Sequence, residues 1–399
     1  MERSFAALES RVFDVLVIGG GITGAGIARD AAMRGLSVAL VEKNDWASGT
    51  SSRSSRLVHG GIRYLEQGEI GLVRESVRER EILLRIAPHL VKPLEFTWPV
   101  YRGARLPRWK LGIGLTIYDV LAGKRRGRRH HLLDREGVVA LEPHLREVGL
   151  KGGASYFDAA TDDAGLTRAN VLSAVEHGAI AVNFAKVESI TSTSRHADGA
   201  IVRDMKGDGS VRVAARALVS AIGPWQAKGT KGSHIVVARS RVANNHAVTM
   251  TSPDDGRVMF ILPSGDETIV GTTDLRTNES PDDVKASEPE IEYMLRAANF
   301  YFPHTALERD DVLRTWAGIR PLAASPEGAS PSSISREHRI SRDSAGVIVI
   351  TGGKLTTYRS MSAEVVDVLE KTLGKRPVPC TTDEVPLAIE SATPAPHVS

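Results

Sequence analysis

The chain has 399 residues, 42% hydrophobic, 25% charged and 5% aromatic, a globular composition whose length predicts two or three domains. Its single cysteine, Cys380, excludes a disulfide framework and any cysteine-built zinc or iron–sulfur site, and it fits a reducing compartment. The net charge of +3 hides an uneven distribution: residues 102–131 carry nine Lys and Arg against Asp119 alone, leaving 42 basic against 47 acidic residues elsewhere.

No apolar run reaches the roughly 18 residues needed to span a bilayer, and no apolar stretch precedes Phe13, so the expectation is a soluble or peripheral protein without a standard signal peptide. Phe13–Ile18 reads as a short apolar strand and Gly19-x-Gly21-x-x-Gly24 as the turn opening a helix. A second apolar run, Ser37–Val41, ends at Glu42. The three glycines suit a tight turn, a close backbone approach to a pyrophosphate and helix–strand packing. The phosphates belong on the helix N-terminus, and Glu42 is placed to accept from a ribose hydroxyl and to repel the 2′-phosphate of NADP. An ordinary βαβ turn competes with this reading, but strand, turn, helix, strand and acid occur in order. The following stretch, Ser48 to Gly61, is rich in small hydroxyl residues and has almost no apolar periodicity. It favours a loop wrapped around FAD over the further βα unit expected of an NAD domain.

Residues 72–90 predict an amphipathic helix ended near Pro88. In 109–121, helical spacing places Trp109, Ile113, Ile117, Val120 and Leu121 on one side, with arginines at both ends, the pattern of an interfacial helix on an anionic membrane. The competing reading is a solvated basic loop around a buried helix. Nucleic-acid binding is not expected, because no recognition motif or interleaved aromatic platform accompanies the charge. A helix over 161–178 precedes short strands at 181–184, 187–193, 200–205 and 211–214, then an apolar strand at 217–222. Strands at 234–238, 258–262 and 268–272 and a helix at 288–302 read as an antiparallel sheet backed by helices. A final strand, 347–351, leads through Gly352-Gly353-Lys354 into a helix over 355–369 and a Pro-rich tail.

The segments IGGGITGAGIARDAA, SSRSSRLVHGGIRYLE, KGSHIVV, ETIVGTTD, AGIRPL and GGKLTTYR, in this order between about residues 12 and 372, resemble the FAD-dependent glycerol-3-phosphate dehydrogenases. The resemblance implies an α/β fold: a two-dinucleotide-binding, Rossmann-like FAD domain with an antiparallel-sheet substrate domain, as in the D-amino-acid-oxidase-like superfamily. The expected boundaries are 1–90, 150–231 and 346–372 for a discontinuous FAD domain, 91–149 for a basic amphipathic insert, 232–345 for the substrate domain and 373–399 for the tail. FAD contacts are expected from Gly19, Gly21, Ile22, Thr23 and Gly24, from Glu42 and Lys43, and from Thr50, Ser51, Ser52 and Ser55. They continue at Leu57, His59, Gly60 and Gly61, at Val187 and Gly223, and at Gly353, Lys354, Leu355 and Thr356.

The implied reaction is oxidation of sn-glycerol 3-phosphate to dihydroxyacetone phosphate, with hydride transfer to flavin N5 and electrons passed to a quinone. Such a site needs a clamp, a proton acceptor and a positive field near flavin N1. The resemblance points to Arg320 and Arg336 for a phosphate clamp, since guanidinium binds phosphate bidentately, with Arg63 and Lys354 as further candidates. His234 is the choice for the proton, and Lys354 at a glycine-opened helix start supplies the field. Tyr64 and Thr357 are expected to orient the substrate. No metal is expected. The expected partners are the phosphate ester, a quinone, an anionic membrane surface at the inner face of the cytoplasmic membrane, and a second copy as a homodimer. The alternatives are a same-fold oxidase of an amino or hydroxy acid, or an inactive flavin-binding paralogue. Three departures from the family pattern stand out: a short loop between Trp225 and Lys231, Gly165 where the family usually has Arg, and a Pro-rich tail in place of a helical C-terminal domain.

Overall fold

The computed structural model describes residues 4–123, 128–193, 196–222, 229–320 and 337–388, the Arg320 side chain excepted. The chain opens with β1 (Phe13–Ile18), α1 (Ile22–Met33), β2 (Val38–Val41) and β3 (Leu57–Val58). It continues through α2 (Ile70–Ile86), β4 (Val91–Tyr101), α3 (Arg108–Leu121), β5 (His131–Leu133), α4 (Arg135–Leu141) and β6 (Leu150–Thr161). Next come α5 (Asp163–Glu176), β7 (Ile180–Val182), β8 (Ala185–Thr193), β9 (His196–Asp204) and β10 (Ser210–Ser220). Then follow β11 (Gly229–Ala238), α6 (Arg239–Val242), β12 (Ala247–Thr251), β13 (Val258–Ser264), β14 (Glu267–Gly271) and β15 (Leu275–Thr277). The last elements are α7 (Glu288–Tyr301), β16 (Val312–Arg320), β17 (His338–Arg342), β18 (Ile348–Gly352) and α8 (Tyr358–Thr372).

The first sheet runs β17-β18-β10-β1-β2-β7, parallel from β18 to β7, with β8 and β9 attached to the other end of β10. All six residues of β1 are buried, as a central parallel strand covered on both faces requires. Helices α1, α5 and α8 cover one face around Val15, Ile27, Leu40, Val171 and Val365. Close packing of α1 on α8 depends on Gly26, where a Cβ would lie 2.5 Å from Ser362 Oγ and 2.8 Å from the Tyr358 ring. The second sheet runs β15-β11-β14-β13-β12-β4-β6-β3, with β16 on the free side of β11 and β5 on β6. It is backed by α7, whose Met294 and Ala298 pack, with Phe302 just past its end, on Ile235, Val248 and Ile261.

Three expectations change. The strands expected separately at 211–214 and 217–222 are one strand, β10, antiparallel to β9 at its start and parallel to β1 at its end. The segment 91–149 is not an insert beside the sheets: β4 is an interior strand of the second sheet, paired with β6 over nearly its whole length and with β12 on its other side. Lys92, Pro93, Glu95 and Pro99 in β4 and Gly152-Gly153 in β6 blur the alternation that marks a strand. The FAD-side segment 150–161 likewise lies in the second sheet, as β6.

Candidate active site

The β1–α1 turn builds the dinucleotide cradle. Gly19 has φ +112°, and a Cβ on Gly24 would collide with the Gly19 carbonyl oxygen, so both positions require glycine. Gly21 caps α1 without a side-chain hydrogen bond, leaving the helix N-terminus open except for Ser51 Oγ, which accepts from Ile22 N–H at 2.9 Å. Thr23, in the same first turn, is half-buried. Glu42 ends β2 half-buried; its carboxylate accepts from Gly20 N–H at 2.7 Å and Asn44 N–H at 2.9 Å. Uncapped helix N–H groups, no bulk at the turn and a carboxylate at the strand end fit the pyrophosphate and ribose of an FAD. Lys43 instead pairs with Asp282 at 2.6 Å. Val187 lies on β8, two residues beyond Ala185, whose N–H donates to Glu42 O at 2.7 Å. Gly223 lies outside the described residues.

The hydroxyl-rich loop is ordered by ties to the second sheet and to α5. Thr50 Oγ1 donates to Ile319 O at 2.8 Å, Ser52 Oγ to Gly49 O at 3.4 Å, and Ser54 Oγ to Asp163 Oδ2 at 2.8 Å. Burial raises the Asp163 pKa, although Ser54 works against it. Ser55 Oγ is 2.8 Å from His234 Nε2. The His234 ring is buried and stacked on Trp316, with centroids 5.0 Å apart and planes 18° apart, a placement set by the β11–β16 register that puts these residues opposite each other.

A cavity of about 790 Å³, its open mouth included, lies on the second sheet beside the hydroxyl-rich loop. Ser55, Leu57, His59, Gly61, Arg63 and Tyr64 border it on the loop side; Phe96, Trp98, Tyr156 and Phe260 form its aromatic wall, and Asp158 and Arg257 add charge. The second sheet thus supplies the wall and the first sheet's loop the polar rim. Lys354 heads the 3-10 turn Leu355–Thr357 that runs into α8. Its Nζ donates to Ser76 Oγ at 3.3 Å, sits 4.0 Å from the Tyr64 ring centroid, and would be 3.7 Å from a Gly61 Cβ. Thr356 Oγ1 bonds both the N–H and the carbonyl of His59, at 3.2 and 3.3 Å. Gly352 and Gly353, at φ +74° and +86°, let this turn pass close to the loop.

Ser55, His234, Arg63, Lys354 and the Gly60–Gly61 segment are therefore brought together, with His234 one hydroxyl behind the cavity wall. Arg320 ends β16 opposite Thr230, and Arg336 lies outside the described residues. Thr357, expected to orient substrate, is buried and points its hydroxyl at Met361 Sδ, 3.5 Å away, so it packs inside. The aromatic wall, Asp158 and Arg257 escaped the sequence reading. Arg257 precedes β13 in a polar loop without a local pattern, and three of the four wall residues, Phe96, Trp98 and Tyr156, come from the unrecognised strands β4 and β6.

Fold and cavity together define a flavin-dependent oxidoreductase, and the FAD dependent oxidoreductase (DAO) family matches residues 14–359. The chain belongs to this family, and within it to the aerobic glycerol-3-phosphate dehydrogenases. The Staphylococcus saprophyticus enzyme of that name is 39% identical over 92% of this chain, which spans 68% of that relative's length. The crystal structure of the Bacillus halodurans glycerol-3-phosphate dehydrogenase complexed with FAD superposes with a TM-score of 0.79 at 34% identity, covering 96% of this chain and 69% of that one. L-α-glycerophosphate oxidase from Mycoplasma pneumoniae with FAD bound shares the fold, with a TM-score of 0.69 at 17% identity, 92% of this chain and 99% of that one.

Proposed function

We infer that the protein oxidises sn-glycerol 3-phosphate to dihydroxyacetone phosphate. The observation that carries this reading is a cavity bordered by Ser55, Arg63 and Arg257, with His234 directly behind Ser55 and Lys354 against Tyr64 and Gly61 of its rim, in a chain 39% identical to an aerobic glycerol-3-phosphate dehydrogenase. FAD supplies the hydride acceptor. Arg63 and Arg257 hold the phosphate with charge-assisted hydrogen bonds, joined by Arg320 and Arg336 from the end of β16 and the segment beyond it. His234 takes the hydroxyl proton through Ser55 Oγ, and the Trp316 face fixes its ring. Lys354 places a full positive charge where negative charge develops. The amino- or hydroxy-acid alternative needs a carboxylate ligand and has no use for a clamp of several arginines.

Electrons leave to a quinone at a membrane, and α3 is the docking element. Trp109, Ile113, Ile117 and Val120 are 63%, 55%, 41% and 74% exposed, an apolar stripe on a helix whose other face, Leu111, Leu115 and Tyr118, is buried. Lys110 on the helix and Arg102, Arg128 and Arg129 to either side of it in the chain are exposed; Lys124, Arg125 and Arg126 lie outside the described residues. Leu121, expected on the outer stripe, instead packs toward Tyr64 and Val77. Among the described residues no helix is long and apolar enough to cross a membrane, so attachment is peripheral on this reading, with a homodimer as the expected assembly. The deciding experiment mixes the purified yellow protein with glycerol 3-phosphate without oxygen. Bleaching of the flavin band supports the assignment. Bleaching by glycine or a 2-hydroxy acid alone replaces it with the oxidase reading, and no bleaching by any of these leaves a binding protein.

A further inference from the structure

Tyr118 is the polar member of the buried face of α3, where an apolar side chain would pack as well. A buried hydroxyl costs stability unless it is fully partnered, and this one is. It donates to Asp158 Oδ1 at 2.5 Å and accepts from Gly60 N–H at 2.9 Å and Arg80 Nη1 at 3.0 Å. Asp158 Oδ1 also accepts from Gly60 N–H at 3.1 Å and from the Arg80 guanidinium. Burial holds the Tyr118 phenol far above its ordinary pKa, so it stays protonated and its one proton goes to Asp158. The Gly60 amide is thereby gripped by two oxygens from two elements, α3 and β6. A side chain on Gly60 would strike Tyr118 Oη and Val77, so the peptide lies directly on this pair. From there Gly61, in the left-handed region at φ +70°, turns the chain so that Gly61, Ile62 and Arg63 border the cavity.

We propose that Tyr118 is a positioning residue for the flavin side of the active site. With Asp158 it sets the plane of the Gly60 peptide and, through it, the Gly61–Arg63 wall. Because it stands on the helix whose outer face is apolar and exposed, it ties that surface to the redox centre. The proposal rests on the flavin reading of the cavity.

The test is Tyr118→Phe in the FAD-loaded protein, which keeps the ring and removes one hydroxyl. The visible flavin bands and the flavin reduction potential are expected to shift. With glycerol 3-phosphate, kcat is expected to fall about tenfold while KM stays within about twofold. A purely structural tyrosine would lower the melting temperature and leave spectrum and potential where they were. Wild-type spectrum, potential and kcat in the variant overturn the proposal. If the Phe variant does not fold, Asp158→Asn is read the same way: a displaced spectrum supports positioning and an unchanged one overturns it. The spectrum needs no substrate, so the two readings separate. A spectral shift without bleaching by glycerol 3-phosphate keeps the positioning role and removes the substrate; bleaching with an unshifted variant does the reverse.

Discussion

Glu42 and His234 show how unevenly single residues announce themselves. Glu42 was legible because its role follows from chain order: a carboxylate ending the strand after a glycine turn must face the cradle, and its oxygens bond Gly20 and Asn44 N–H. Glu42→Ala is expected to weaken FAD retention about tenfold, the scale of one or two charge-assisted hydrogen bonds; equilibrium dialysis against FAD checks it, and undiminished retention removes Glu42 from the cofactor site. His234 gave no such signal, because a lone histidine in a strand is as often structural. Its stacking on Trp316 and its approach to Ser55 come from the β11–β16 pairing and a loop 179 residues earlier in the chain. On the proposed role of His234 as proton acceptor, His234→Asn should lower kcat at least about 100-fold. Ser55→Ala should give a smaller loss, since water can replace a relaying hydroxyl. Stopped-flow flavin reduction measures both, and near-normal reduction in His234→Asn moves the proton elsewhere.

The sequence marked α7 as a helix over 288–302, and the structure adds a capping box at its start. Ser287 Oγ and N–H both donate to Glu290 Oε2, at 2.8 and 3.0 Å. The same carboxylate accepts from Ser233 and Thr273 at 2.7 and 2.8 Å and pairs with Lys231 at 2.9 Å, so it pins α7 to the strand carrying His234. Burial alone would raise the Glu290 pKa, but the Ser287 N–H, Lys231 and the two hydroxyls outweigh it and hold it below the ordinary value. A carboxyl depressed in the folded state stabilises above its unfolded pKa, about 4.3 for Glu, and that stability is lost as pH falls through the folded value. Glu290→Gln is therefore expected to cost about 2 kcal/mol at pH 7, with the gap to wild type closing below about pH 4. Urea melts across this range test it, and a pH-independent gap would mean that packing, not charge, is lost. The strands β4 and β6 mark the opposite limit: prolines, a glutamate and paired glycines hide them from periodicity, yet they carry Phe96, Trp98 and Tyr156 to the cavity.

For the whole molecule the informative quantity is where the charge lies. The basic stretch collects on α3 and its flanks, and the exposed Trp109, Ile113, Ile117 and Val120 stand in the same place. Binding to vesicles containing an anionic lipid should fall steeply between low and physiological salt, because exposed charges are screened over about 8–10 Å. Val120→Glu with Ile113→Glu should weaken it further through lost apolar burial, about 1.5–3 kcal/mol per side chain fully inserted. Co-sedimentation across a salt series decides; binding insensitive to both salt and these substitutions assigns the stripe another partner. Chain order and local pattern by themselves determined the glycine turn, the acid at the end of β2, the hydroxyl loop, the family resemblance and the outer stripe of α3, because each is encoded within a few turns or strands. Only the tertiary structure decided that β10 serves two sheet directions, that β4 and β6 wall the cavity, and that Ser55 meets His234. It alone set Tyr118 against Gly60, because these contacts join residues far apart in the chain and depend on strand register, which no local window carries.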